Sequence, residues 1–368
     1  MNPRLPPQPR RLLWLALGLA LAAAPVACAA KAKRPSAAVR DDNTPEAVSY
    51  GRRDDAMRFA DEVALNQGLD VAQVRLALAA ARYQPAVVKL IMPPPAGTAK
   101  NWAAYRARFV EPVRIKAGLA FWRANERWLQ KAEEVYGVAP EIVVGIVGVE
   151  TIYGQQMGKF RAIDALATLA FDFPPGRKDR SAFFRDELEQ LFVLCRGTPQ
   201  REPCDPLAPK SSFAGALGMA QFMPSSVNRY AVDFDGDGRI DLRNDAADVI
   251  GSVAHFLAEF GWQRGLPTRY DIAVPVDAAE RAALLVPDIL PTFSAAQLVE
   301  HGAQLGVDAQ GHEGPLALVE LQNGDAAPSY VAGTTNFYAI TRYNWSSYYA
   351  LAVIELGEAI KRQRLAAR

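Results

Sequence analysis

A helix that is apolar on every side and still carries a carboxylate can be folded in few ways. One stretch of this chain has that character: Val138-Ala139-Pro140-Glu141-Ile142-Val143-Val144-Gly145-Ile146-Val147-Gly148-Val149-Glu150-Thr151. It reads as a short helix opened by Pro140, where the missing N–H costs nothing. Apolar residues run right round it, so it belongs inside the fold. Counting back from Glu150 by three, four, seven and eight gives Val147, Ile146, Val143 and Ile142, one apolar stripe. Glu150 therefore lies on the greasiest face, near the negative end of the helix, where desolvation and the dipole both disfavour its anion. The raised pKa that follows is what a general acid near neutral pH requires. The competing reading ends the helix at Val149 and leaves Glu150 pointing into solvent.

The remaining sequence sets the context. A chain of 368 residues is long enough for a large core and more than one lobe. A formal net charge of +1 gives no global electrostatic footprint for nucleic acid. At the start, Arg4, Arg10 and Arg11 precede an apolar run from Leu12 to Ala24 and then small residues to Ala30. That order spells a secretory signal, too short for a comfortable membrane span. Cys28 sits where bacterial lipoproteins carry their acylated cysteine, although Pro25 stands where such signals usually have leucine. Cleavage after Ala29, with a soluble periplasmic product, is the alternative; the lipoprotein, anchored in the outer membrane, is preferred. Cys195 and Cys204 flank a Gly/Pro-containing loop and can close it as a disulfide in an oxidising compartment.

The expected fold class is mainly α, with some α+β character. Residues 1–28 are the signal and 29–50 a polar tether. An N-terminal helical lobe covers 51–130, with one longer helix running through Phe121, Trp122, Trp128 and Leu129. A helical core follows over 131–262, and a small strand-containing insertion over 263–335, with strands at Tyr270–Val276 and Pro315–Leu321. Ser294 to Gln297 is a capping box opening a small helix there. Residues 336–368 return to helix. The basic loop from Phe171 to Arg180 is by default solvated; bordering a cleft, its cations could hold acidic or acetamido groups.

Two further stretches carry chemistry. Ser212-Phe-Ala-Gly-Ala-Leu-Gly-Met-Ala-Gln221-Phe-Met-Pro-Ser-Ser buries one large polar group, Gln221, which must find a hydrogen-bond partner, structural or in a substrate. Asp233-Phe-Asp235-Gly-Asp237-Gly-Arg239-Ile-Asp241 matches an EF-hand loop, with Arg239 at the position that ligates through its carbonyl. Position 12 is Asn244 instead of a bidentate Glu, so completion falls to Asp245 or Asp248. A structural calcium ion is expected, and no organic cofactor.

Together these stretches resemble the lytic murein transglycosylase B family. The glutamate helix with its Thr151-Ile-Tyr-Gly continuation, the Ser212 block, the loop from Asp233 and Thr341-Arg-Tyr-Asn344-Trp-Ser are similar to four ordered blocks of that family. The resemblance runs from Trp102 to Gly357 and thins between 265 and 330. It implies a lysozyme-like catalytic core over 131–262 with an EF-hand-like loop at 233–248, completed by the C-terminal segment. It also implies a periplasmic monomer that binds peptidoglycan strands and cleaves the β-1,4 bond between N-acetylmuramic acid and N-acetylglucosamine without water, leaving 1,6-anhydromuramyl ends. Glu150 would be the sole acid and base. Ser212, Gln221, Tyr343, Asn344 and Tyr349, with Tyr105, would line the sugar subsites. Phe183 and Phe256 stand where the family's cleft tyrosines are expected. The alternatives are a hydrolytic muramidase of lysozyme type, or a non-catalytic peptidoglycan-binding lipoprotein.

Overall fold

The computed structural model describes residues 49–93 and 97–367. The signal segment, Cys28 and nearly all of the tether lie outside the described residues. No helix among those residues is long and apolar enough to cross a membrane.

The glutamate helix spans Pro140–Thr151, and every residue from Ile142 to Thr151 is buried. Its main neighbour is the last helix, Ser347–Ala366, buried along one stretch between Tyr349 and Ile360. Glycines let these two axes approach. A Cβ placed on Gly145 would lie 2.3 Å from the Val353 carbonyl oxygen, and one on Gly357 would lie 2.1 Å from that of Glu141. The close crossing is thus written into two residues that have no side chain. It joins chain segments far apart in sequence, and it brings Tyr349 over the glutamate.

Around this pair the chain wraps further helices, notably Ala162–Phe171 against Ser181–Arg196 and Ala246–Glu259 against Glu126–Tyr136. The N-terminal helices are tied to this core by polar bonds. Asp164, 3% exposed, accepts from the Arg82 backbone, Gln84 and Arg161. Tyr50 donates to Asp172, which also pairs with Arg53. The longer helix expected through Phe121 and Leu129 is in fact two, Pro112–Ala124 and Glu126–Tyr136. Asn125 breaks it: its side chain donates to the Phe121 carbonyl at 2.9 Å, and its backbone sits at φ −121°, ψ 22°. Such local side-chain bonding competes with the helix ladder.

The segment after Trp262 carries a four-stranded antiparallel sheet in the order Gln304–Leu305, Arg269–Ala273, Ala326–Gly333, Ala317–Asn323. Its own apolar cluster, with Leu284, Leu298, Leu316 and Leu318, is separate from the main core. The first long strand stops at Ala273, short of the expected Val276. Pro275 has no N–H to donate, and Asp277 caps the next helix, Ala278–Leu285. The capping box at Ser294 and Gln297 forms with both of its bonds.

Candidate active site

Glu150 falls inside its helix, one residue before the end. It is 8% exposed, and what remains accessible faces a cleft. Burial pushes its carboxyl up to about 7, against a smaller opposing pull from the Tyr349 hydroxyl, which donates to Oε1 at 2.6 Å. Near neutral pH the group is therefore present in both protonation states, the condition for giving and then taking a proton. Substituting phenylalanine for Tyr349 removes the hydrogen bond that favours the anion. The alkaline limb of the activity profile should then move to higher pH, as a rate-versus-pH series on the two proteins would show.

The backbone beyond the glutamate turns abruptly. Ile152 and Tyr153 both adopt positive φ, 50° and 55°, a region uncommon for non-glycine residues and worst for a β-branched one. Thr151 holds the turn: its hydroxyl donates to the Met219 carbonyl at 2.9 Å and accepts from the Gly154 N–H. The helix end is thereby bonded to the Ser212–Gln221 loop opposite. Sequence reading passed over Thr151, whose only signal was its place beside Glu150.

The cleft walls bring together Ser212, Gln221, Tyr343 and Asn344 from the sequence-derived set. Ser212 Oγ accepts from the Ala214 and Ala216 N–H groups, shaping the loop. Gln221 stands at φ 50° and donates to the Gly218 carbonyl at 2.8 Å, so part of its polarity is met within the loop. Tyr343 donates to the Ala220 carbonyl at 2.6 Å and stacks on Tyr349 with ring planes 15° apart. Asn344 is 9% exposed, and its Oδ1 has no partner among the described residues. A buried polar atom left open toward a cleft is what a ligand contact looks like before the ligand arrives.

Two of the set stand behind the wall. Tyr349, 2% exposed, does not line the cleft and meets it through Glu150 and Tyr343. Tyr105 packs among Trp102, Phe109 and Tyr348, and burial followed by the nearby Glu150 raises its hydroxyl well above the ordinary range. Phe183 does line the cleft, whereas Phe256 is buried beneath it against Phe222 and Tyr343. The walls also include Arg180, Arg342 and Trp345. Arg180 comes from the basic loop, and its Nη1 is buried without a hydrogen-bond partner among the described residues. Arg342 lies over the rings of Phe260, Tyr338 and Trp345. Among the residues lining the cleft, Glu150 is the only acid.

The acidic loop lies on the far side of this wall. Carboxylate oxygens of Asp233, Asp235 and Asp248 lie within 4.8 Å of one another. Asp248 is 2% exposed, and burial, with help from Asp245 and Asp235, pushes it up to about 6. Asp245 caps the following helix, so Asp248 is the one turned to the loop. Asp237 is outside this cluster and accepts from the Arg239 N–H, while the Arg239 side chain pairs with Glu202. Clustered hard oxygens suit a divalent cation such as calcium. The loop is bonded to the segment that carries Gln221, since the Met219 N–H donates to the Leu242 carbonyl at 2.8 Å. Cys195 and Cys204 are bonded, closing the loop between them.

The family described as Transglycosylase SLT domain matches residues 51–358. The membrane-bound lytic murein transglycosylase B of Escherichia coli K12 is 39% identical over 324 residues, 86% of this chain and 85% of that protein. The Escherichia coli lytic transglycosylase Slt35, solved with calcium and with bulgecin A, superposes with a TM-score of 0.74 at 38% identity, covering 86% of this chain and 95% of that one. Pseudomonas aeruginosa SltB3, solved with NAG-anhNAM-pentapeptide, gives 0.69 at 30%, covering 85% and 80%.

Proposed function

Because this chain belongs to the Transglycosylase SLT domain family and is a peptidoglycan lytic transglycosylase, we propose that it works with one glutamate, acting as acid and then as base, and leaves 1,6-anhydromuramyl ends. The observation that carries this reading is the cleft with a single acid. Ordinary glycosidases set two carboxyl groups across the scissile bond, the second serving as nucleophile or as base for water. Here Glu150 has no such partner among the lining residues.

The steps balance without water. Protonated Glu150 gives its proton to the glycosidic oxygen as the C1–O4 bond of the N-acetylmuramic acid residue breaks. The resulting carboxylate, steadied by the Tyr349 hydroxyl, takes the proton of that sugar's own 6-hydroxyl as O6 bonds to C1. An intramolecular nucleophile has the effective-molarity advantage of a tethered group. The 2-acetamido group can share the positive charge at C1, a substrate-assisted route open to sugars of this kind. Ser212, Gln221, Tyr343 and Asn344 hold the sugars, and Arg180 offers a cation to acidic or acetamido groups. The SltB3 complex, with its anhydro sugar, supports this outcome by relationship.

We place the enzyme in the periplasm as a monomer, membrane-bound as the name of its Escherichia coli relative suggests, with Cys28 as the acylated residue that anchors it. We read 263–335 as the inserted domain and 336–368 as the segment that completes the cleft. Calcium, held by Asp233, Asp235 and Asp248 with the Arg239 carbonyl, would brace the loop and supply no catalytic step.

Mass spectrometry of products released from purified sacculi tests the chemistry. The reading predicts muropeptides one water lighter than their reducing counterparts. Reducing ends throughout would make the enzyme a hydrolytic muramidase. A protein that releases nothing would be a binding module, in which a buried, idle Glu150 only costs stability.

A further inference from the structure

A second cavity, of about 570 Å³, shares no lining residue with the catalytic cleft. It runs between the core and the sheet-bearing segment. The core side supplies Ile142, Ile354 and Trp262; the other side supplies Arg269, Tyr270, Asp271 and residues 306–309. Trp262 is fixed by its indole N–H, which donates to the Gly137 carbonyl at 2.9 Å. That bond orients one side chain of the apolar wall.

Three features say what could lie there. The strand Arg269–Ala273 pairs along one edge with Ala326–Gly333 through Arg269, Tyr270 and Asp271. Along its other edge only Ile272 and Ala273 are paired, with Leu305 and Gln304. Arg269 and Tyr270 thus have no strand partner there among the described residues, and an exposed strand edge is a template for an extended peptide. The charges are uneven. Arg269 pairs with Glu358 at 3.0 Å and Glu141 with Lys361 at 2.7 Å. Asp271 and Asp308, both exposed, have no ion pair or side-chain hydrogen bond among the described residues. Finally, Val307 on the rim is 84% exposed, an apolar side chain without cover.

We propose that this groove binds a short extended peptide carrying a free amino group, the backbone along the Arg269 edge and the ammonium at Asp271 and Asp308. Taking the substrate to be peptidoglycan, which rests on the reading above, the occupant is a stem peptide of the strand being cut. Ile142 borders the groove and Glu150 stands eight residues on in the same helix, roughly 12 Å along its axis. The groove makes the enzyme favour peptide-bearing over peptide-free glycan.

The test uses the sugar-free diaminopimelate tetrapeptide, titrated calorimetrically into the folded enzyme, into the double variant Asp271→Asn/Asp308→Asn, and into Glu150→Gln. Wild type and Glu150→Gln should bind it alike, while the double variant should bind about tenfold or more weakly. With the peptide's N-terminus acetylated in every titration, as the amide to the sugar blocks it in the strand, further acetylation of the diaminopimelate side-chain amine should weaken binding to wild type by a similar factor. On peptide-free glycan the double variant should turn over as wild type does, and on sacculi its KM should rise with kcat unchanged. Equal binding by wild type and the double variant, or no binding by wild type, overturns the proposal. Loss of binding in Glu150→Gln places the peptide in the cleft and overturns it too. An enzyme that releases no muropeptides yet shows the tenfold difference removes the peptidoglycan link alone, leaving an amino-bearing peptide as the ligand.

Discussion

Replacing Glu150 with glutamine should abolish release of muropeptides, by about a thousandfold or more given what a general acid and base contribute, while making the protein harder to unfold above neutral pH. The first half follows from the chemistry. Glutamine keeps the shape and still accepts the Tyr349 hydrogen bond, but it has no proton to give and then reclaim. The second half follows from linkage. Burial raises the folded-state pKa of Glu150 from 4.5 to about 7, so the native protein binds a proton that the unfolded chain releases. That contribution is complete below pH 4.5 and is lost as pH rises through 7. The displacement corresponds to roughly 3 kcal/mol. Chemical denaturation at alkaline pH should show the glutamine variant more stable by up to this amount, and at acid pH little different. Turnover near the wild-type level would remove Glu150 from the mechanism. An equal stability difference at both pH values would mean the carboxyl is not buried as described.

Calcium should raise the melting temperature and leave the chemistry intact. Asp233, Asp235 and Asp248 bring carboxylates together with one of them buried, and a cation that binds only the folded loop stabilises by mass action. At a concentration about a hundredfold above its dissociation constant the gain is about 2.7 kcal/mol, a few degrees in a chain of this size. Because the Leu242 carbonyl holds Met219, chelation should also loosen the Gln221 wall and raise KM before it lowers kcat. The pair Asp233→Asn and Asp235→Asn should abolish the calcium response while melting near the chelated wild type. Melting that ignores calcium would leave only an acidic turn. Immediate loss of kcat on chelation, with the fold intact, would make the ion catalytic and overturn the single-glutamate mechanism.

How much of this was legible in the sequence varied with the range of the interaction. Glu150 could be placed by counting along its own helix, because periodicity is local and its stripe unbroken. The loop from Asp233 was equally local, down to the missing twelfth ligand. The contribution of Asp248 over Asp245 was not, since it depends on which of the two caps the helix. Asn125 breaks a helix that the apolar pattern of its neighbours continues, because a single side-chain bond outweighs a weak propensity. The role of Tyr349 as the glutamate's hydrogen-bond donor spans 199 residues. It came from one close helix crossing, made by two glycines, that no periodicity reports. The groove beside Arg269 was hidden for the same reason, since its two sides come from segments that meet only in the folded chain.

Catalysis rests on one carboxyl made a weak acid by burial, and its titration can be observed directly. Carbon-13 spectra of protein labelled at the glutamate side-chain carboxyls, recorded against pH for wild type and Glu150→Gln, isolate Glu150 by difference. The account predicts a single resonance titrating at about 7, moving higher still in the Tyr349→Phe variant. A Glu150 resonance that titrates with the ordinary exposed glutamates would contradict it.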